Sequence, residues 1–338
     1  MTAQNPIPTL EDVANLAGVS TATVSRAINF PDKVALKTRE KVNEAVSKLG
    51  YSPNFGARVM AARQTKTIGA IIPTMENAIF ARGLQAFQDE LRQHGYTMLV
   101  ASTGYHAETE EEQIRSLVAR GADALLLIGH SRNPEIYRFL EAQNVPVLVT
   151  WAFDPMSDRP SIGFDNKGAM RAMASKVIEM GHRQLAMISA QTASNDRALD
   201  RQNGVIAAMQ DKGLPVSDLH YVETKYGIEE GARAFAQLMA ASPKPTAVFC
   251  GNDVLAVGAI RKAREMGIDV PRDVSIIGFD DIELAQVVHP PLTTVHVPHR
   301  EMGRLAALAL VKHLQHGAPL EKIELQVRAV YRDTLAAV

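Results

Sequence analysis

Between Leu10 and Leu49 apolar residues recur at helical spacing in three short stretches. Leu10, Val13, Ala14 and Ala17 fall at i, i+3, i+4 and i+7, so one face of residues 10–17 is apolar. Gly18 can take the left-handed conformation that ends a helix, and Ser20 can cap the next one. That next segment turns Val24, Ala27 and Ile28 inward and leaves Thr21, Ala22, Ser25, Arg26 and Asn29 outward. A third, 36–49, aligns Val42, Ala45, Val46 and Leu49 and stops at Gly50. Each is too short to be stable alone in water, but three can bury one another's stripes. The pattern predicts a three-helix unit containing a helix-turn-helix, a geometry that places its second helix in the DNA major groove. Beyond it, Pro53 can open a short helix from Asn54 to about Ala62, and Gln64–Thr67 reads as a polar linker.

From Ile68 onward the pattern alternates. Short apolar runs predict strands at TIGAIIP, MLVAS, ALLLIG, PVLVT, LAMIS, TAVFC and VSIIGF. Amphipathic stretches between them predict helices at Phe80–Gly95, Glu108–Arg120, Gly168–Gly181, Asp200–Gly213, Glu229–Ala241, Val254–Gly267 and Arg300–Gly317. Such alternation means an α/β body of doubly wound parallel sheets, and it occurs twice, over 68–163 and 164–291. Ligands of open parallel sheets bind outside the carboxyl ends of the strands. Asn77 and Phe80 follow the first strand, His130 follows ALLLIG, Trp151 follows PVLVT, Asn252 follows AVFC and Asp280 follows VSIIGF, while Arg201 lies early in a helix. Two aromatic faces beside Asn, Asp and Arg suit a polyhydroxylated ring or a sugar acid. Phe80 and Trp151 are equally readable as packing residues, and Asn77 and His130 as cap or loop residues. Asp165, Asp253 and Asp281 are expected to hold loops through helix N-terminal N–H groups.

Composition narrows the class. Among 338 residues, 46% are hydrophobic and 22% charged, ordinary for a globular protein. Cys250 is the only cysteine, so neither an intrachain disulfide nor a cysteine-based zinc site can form. The ten histidines show no metal-ligand grouping, and no metal or cofactor is expected. The start of the chain lacks a charged region followed by an apolar run, and no segment approaches ~18 uninterrupted apolar residues. The expectation is a cytoplasmic protein without a membrane partner. The net charge of −1 is unevenly divided: residues 1–66 carry nine Lys or Arg against five Asp or Glu, hence +4, which leaves −5 for the remainder. A basic head on an acidic body suits a polyanionic partner for the head alone. Two doubly wound halves also invite an enzyme reading, but no G-x-G-x-x-G follows a strand, and G-x-x-x-x-G-K-[ST], H-E-x-x-H and G-x-S-x-G are absent.

The strings TLEDVANLAGVSTATVSRAIN and KTREKVNEAVSKLGYSPN closely resemble the headpiece of the LacI/GalR family of bacterial transcription regulators, without a gap over residues 9–54. The body is similar as well, in CGNDVLAVGAIRKAREMGIDVPRDVSIIGFDDIELAQVVHPPLTTV. The resemblance implies that Thr21, Ala22 and Arg26 read bases, while Ser20, Thr23, Ser25, Asn29, Tyr51 and Asn54 mostly touch phosphates. It further implies a hinge helix containing Ala57 and Met60, with Met60 as the minor-groove wedge. Its domains would be a headpiece (1–52), a hinge and linker (53–66) and a periplasmic-binding-protein-like body (67–338). Within that body the N-lobe would hold about 67–163 plus 293–320, and the C-lobe about 164–291 plus 321–338. The implied function is a homodimeric repressor on double-stranded operator DNA, controlled by a small effector in the interlobe cleft through Asn77, Phe80, His130, Trp151, Arg201, Asn252 and Asp280. No heptad tail for higher assembly is visible after LQVRAVYRDTLAAV. STGYHAETEEEQIRSLVARGADALLL and SIGFDNKGA look most like gluconate-type members, which favours a sugar acid with Arg201 on its carboxylate. A neutral sugar and a purine corepressor are the alternatives, and an enzyme with a DNA-binding head is the competing class.

Overall fold

The computed structural model describes residues 8–52, 64–76 and 78–338, and the chain divides between Thr65 and Lys66 into two compact units. In the first, α1 (Leu10–Ala17), α2 (Thr21–Asn29) and α3 (Leu36–Leu49) match the three predicted segments. Thr9 and Asp12 start α1 with a reciprocal capping box: the Thr9 N–H donates to Asp12 Oδ2 at 2.8 Å and the Asp12 N–H to Thr9 Oγ1 at 3.3 Å. Gly18, at φ 67°, closes α1, and Ser20 Oγ accepts the Thr23 N–H at 3.2 Å to open α2. Val13, Ala14, Ala17, Val24, Ala27, Val42 and Ala45 form the core of this unit. The segment expected to carry the hinge helix, with Asn54, Ala57 and Met60, lies outside the described residues, as does Asn77.

In the second unit, six parallel strands run in the order β2–β1–β3–β4–β5–β11, formed by β1 (Thr67–Ile72), β2 (Thr97–Ser102), β3 (Ala124–Ile128), β4 (Val147–Thr150), β5 (Ser161–Gly163) and β11 (Ile323–Glu324). The second sheet, also parallel, runs β7–β6–β8–β9, from β6 (Leu185–Ala190), β7 (His220–Thr224), β8 (Ala247–Cys250) and β9 (Ser275–Ile277). The central strands β1, β3, β6 and β8 are buried at every position. Covered on both faces, they read as unbroken apolar runs and were therefore legible. The polar edge strand HYVET (β7) and three-residue β5 carry no such signal. The helices are α4 (Ala78–Gln93), α5 (Ala107–Ala119), α6 (Pro134–Ala142), α7 (Asn166–Glu179), α8 (Asp196–Asp211), α9 (Ile228–Met239), α10 (Asp253–Glu265), the single-turn α11 (Leu284–Val287) and α12 (His299–His316). Nine-residue α6, capped by Asn133 with Pro134 at its first turn, was not anticipated.

Strand pairing moves two expected lobe boundaries. Thr293 bridges Ile277 and His296 bridges Asp280, so the chain leaves the second lobe after 296 and not at 293. Ile323 and Glu324 pair with β5, so this segment belongs to the first sheet and not to the C-lobe. An antiparallel ribbon of β10 (Thr294–His296) and β12 (Arg328–Val330) lies beside these crossings. On the first lobe α4 and α12 touch at Gly83 and Gly303. A Cβ at Gly303 would run into the Gly83 carbonyl, and one at Gly83 into the Trp151 ring. Glycine at both positions lets the two helices close over Trp151.

Candidate functional site

In the first unit Ser20, Thr21, Ala22 and Arg26 are exposed along one side of α2, while Thr23, Ser25 and Asn29 are half-buried. The half-buried three are tied locally: Thr23 Oγ1 lies 2.9 Å from Ser20 Oγ, and Asn29 Nδ2 donates to Ser25 Oγ at 3.3 Å. Arg26 has no ion-pair partner among the described residues, and the small side chains around it leave its guanidinium free to reach outward. Tyr51 packs partly into the core of this unit.

In the second unit Arg201, Asn252, Asp280 and Trp151 are all buried, and hydrogen bonds link Arg201 through Asn166 to the Trp151 backbone. Arg201 of α8 donates through Nε to Asn166 Oδ1 at 2.9 Å and through Nη1 to the Gly251 carbonyl, and its guanidinium lies 4.0 Å over the Phe279 ring. Asn166 in turn donates through Nδ2 to the Trp151 carbonyl at 2.9 Å. Asn252 caps α10, its Oδ1 accepting the Leu255 N–H at 2.9 Å, and its buried Nδ2 has no partner among the described residues. Asp280 is 0% exposed at φ 105°, a backbone conformation costly for any residue but glycine. Among the described residues neither carboxylate oxygen has a hydrogen bond, and the ionisable nitrogen within reach is His299 Nε2 at 3.6 Å, itself without a hydrogen bond there. Trp151 Nε1 is likewise buried without an acceptor. Buried polar atoms are nearly always paired, so this concentration of unmatched donors and acceptors makes the region a candidate binding site.

Tyr105, after β2, and Tyr226, after β7, face each other from opposite lobes with ring centroids 5.7 Å apart. Burial pushes both phenols above their ordinary value, and both are within electrostatic reach of Arg197, Arg201 and Asp280. They line a cavity of about 240 Å³ with Thr74, Glu76, Gln191, Ser194 and Lys225. Neither tyrosine was anticipated. Tyr105 stands at a strand's carboxyl end, where the same rule should have found it, whereas Tyr226 follows a strand with no apolar signal. His299 was missed because only the fold carries the start of α12 to Asp280.

Phe80 and Trp151 are packed in the core of the first lobe, 4% and 1% exposed, with rings 5.4 Å apart. His130 meets Asp196 Oδ2 through its backbone N–H, while its ring Nδ1 lies 3.4 Å from Ser157 Oγ and burial lowers the imidazole below its ordinary pKa. Of the three aspartates assigned to helix N-termini, only Asp165 serves that way, accepting the Gly168 N–H at 2.8 Å. Asp253 instead accepts from the Ile282 N–H and Thr294 Oγ1, and Asp281 from Arg332 and His296, so both hold loops across the lobe. Among the described residues no group of three His, Cys, Asp or Glu is arranged to hold a metal, and none of the described helices is long and apolar enough to cross a membrane.

Asp200 adds a pH dependence. Burial first, then the nearby Asp196 and Asp165 carboxylates, push its pKa up from 3.8 to about 6. A carboxyl raised in this way weakens the fold where it is ionised, and the penalty is relieved as pH falls through about 6. With solvent screening discounted, Asp200→Asn should stabilise the protein by about 1 kcal/mol at pH 7 and by much less at pH 4.5. Thermal melts of both proteins at the two pH values measure this, and a pH-independent difference would contradict it.

Residues 9–54 match the profile for bacterial regulatory proteins of the lacI family, and 174–335 match a periplasmic binding protein-like domain. The HTH-type transcriptional repressor CytR of Escherichia coli strain K12 is 34% identical over 335 residues, covering 97% of this chain and 98% of its own. The chain belongs to the lacI family of bacterial regulatory proteins. GntR of the same organism is 32% identical, covering 91% and 92%. A crystal structure of the lac repressor dimer bound to operator and the anti-inducer ONPF superposes with a TM-score of 0.85 at 29% identity, covering 98% of this chain and 99% of that one. The lacI-family assignment makes the three-helix unit a DNA-binding headpiece and the protein a transcription regulator, and it gives the two-lobed body the fold of a periplasmic binding protein.

Proposed function

We propose that the protein is a dimeric repressor, with two headpieces on a near-palindromic operator and a small polyhydroxylated effector in the interlobe cleft setting its affinity for DNA. The observation that carries the effector reading is the buried Asp280 carboxylate, with neither oxygen matched among the described residues, together with the unpartnered Nδ2 of Asn252; the two residues follow the paired strands β9 and β8. Such a carboxylate calls for a ligand that donates hydrogen bonds, as vicinal hydroxyls do. The sugar acid that the resemblance favours needs Arg201 as carboxylate partner, but two of its nitrogens and one face are already committed to Asn166, Gly251 and Phe279. Identities of 34% to CytR and 32% to GntR do not single out the gluconate-type branch. A neutral polyol is therefore the favoured class. Dimeric assembly is supported by the lac repressor dimer seen on operator, and by the need of a palindrome for two heads. For control, the effector must bind the DNA-competent and the DNA-free arrangements of the body unequally, since equal affinity shifts nothing.

Operator binding should be strongly salt-dependent, because phosphate neutralisation releases counterions. Arg26→Ala should weaken specific binding by about 1–3 kcal/mol while leaving non-specific binding and headpiece folding intact. Fluorescence anisotropy on promoter fragments from around its own gene, against random DNA, measures both. An unchanged specific-to-non-specific ratio would remove Arg26 from the base readers. Failure to bind any such fragment at low salt, with and without sugars, would overturn the repressor assignment.

A further inference from the structure

The rim of the cleft carries a second set of contacts, made by side chains that no sequence motif singled out. Asp196, the first residue of α8 in the second lobe, reaches across to the first lobe, where its Oδ2 accepts the backbone N–H groups of His130 and, at 3.1 Å, Ser131. Its neighbour Arg197 donates through Nη1 to the Ile128 carbonyl at 3.1 Å and to Asp196 Oδ1 at 2.8 Å. The approach is close enough to require glycine on the other side. Gly129 sits at φ 75°, and a Cβ there would strike both the Arg197 guanidinium and the Asp196 carboxylate. The loop that receives them is braced from behind by Arg132, whose side chain is 2% exposed. It donates to the Ile128 and Gly129 carbonyls, to Tyr137 Oη at 3.2 Å and to Glu110 at 2.9 Å. A second ion pair between the lobes, Arg82 with Glu283 at 2.8 Å, leaves Glu283 85% exposed and is weak.

We infer that Asp196 and Arg197 form a clasp that holds the two lobes closed by the protein's own groups, and that an effector can enter or leave only when this clasp releases the Ile128–Ser131 loop. The electrostatics agree. Burial works against an ionised Asp196, but the Arg197 charge and the two loop amides outweigh it and hold the carboxyl below its ordinary value, so the acceptor is present at neutral pH. The clasp contains no atom of an effector, and its test needs neither effector nor operator; its failure would leave the proposed function standing.

The test compares full-length protein with Asp196→Ala and with Asp211→Ala, which breaks an exposed ion pair to Arg171 at the far end of the same helix. Amide hydrogen exchange reads the loop, and acrylamide quenching of Trp151, the chain's sole tryptophan and 1% exposed, reads the cleft. In Asp196→Ala the His130 and Ser131 amides should exchange about tenfold faster or more, and Trp151 quenching should rise, with Asp211→Ala matching wild type in both. Unchanged exchange would overturn the inference. So would faster exchange with unchanged quenching, which would reduce Asp196 to a local loop cap. If Asp196→Ala does not fold, Asp196→Leu keeps the volume, offers no acceptor to the two amides and carries the same comparison.

Discussion

Arg201→Ala should lower the stability of the body by about 3–5 kcal/mol, because it removes one buried cation and orphans two acceptors at once. Asn166 Oδ1 and the Gly251 carbonyl would lose their donor, and the Phe279 face its cation, all in a region closed to water. A change of that size should appear as a drop of roughly 5–15 °C in melting temperature. Loss should spread to the effector site, since Asn166 links Arg201 to the backbone at Trp151 and Gly251 precedes Asn252. Calorimetry of the purified protein measures the first effect. A melting temperature within a degree or two of wild type would show that Arg201 is held for a ligand and not for the scaffold.

Asp280→Asn should separate stability from response in the opposite sense. An unmatched buried acceptor costs about 1–3 kcal/mol, and Asp280 carries two beside the Asp253 carboxyl. Replacing the carboxyl group with an amide of the same shape should leave the unliganded protein as stable as wild type or more so. The same change should weaken effector binding by about tenfold or more, since one of the two oxygens offered to ligand hydroxyls is lost. A thermal-shift screen of neutral sugars, sugar acids and purines on both proteins tests this, because a ligand raises stability by RT ln(1 + [L]/Kd). Stabilisation of wild type by sugar acids alone would defeat the neutral-polyol reading. An effector shift that survives in Asp280→Asn would remove Asp280 from the site.

Much of this molecule is written locally. The headpiece helices, their caps at Ser20 and Gly18 and the outward face around Arg26 follow from spacing within a few turns, where side chains three and four apart necessarily share a face. The central strands could be read because burial on both faces demands continuous apolar runs. Arg201, Asn252 and Asp280 were reachable through strand and helix ends, the places where open parallel sheets expose polar groups. What those residues do was not. That Arg201 spends its donors on Asn166 and Gly251, while Asp280 is left unmatched beside His299, depends on atoms from both lobes. The crossings between lobes juxtapose residues 105, 130, 151, 196, 226, 280 and 299, which no periodicity connects. Short-range pattern encodes which face of an element is buried, whereas the partner met across a cleft is set by how two folded sheets come to rest against each other.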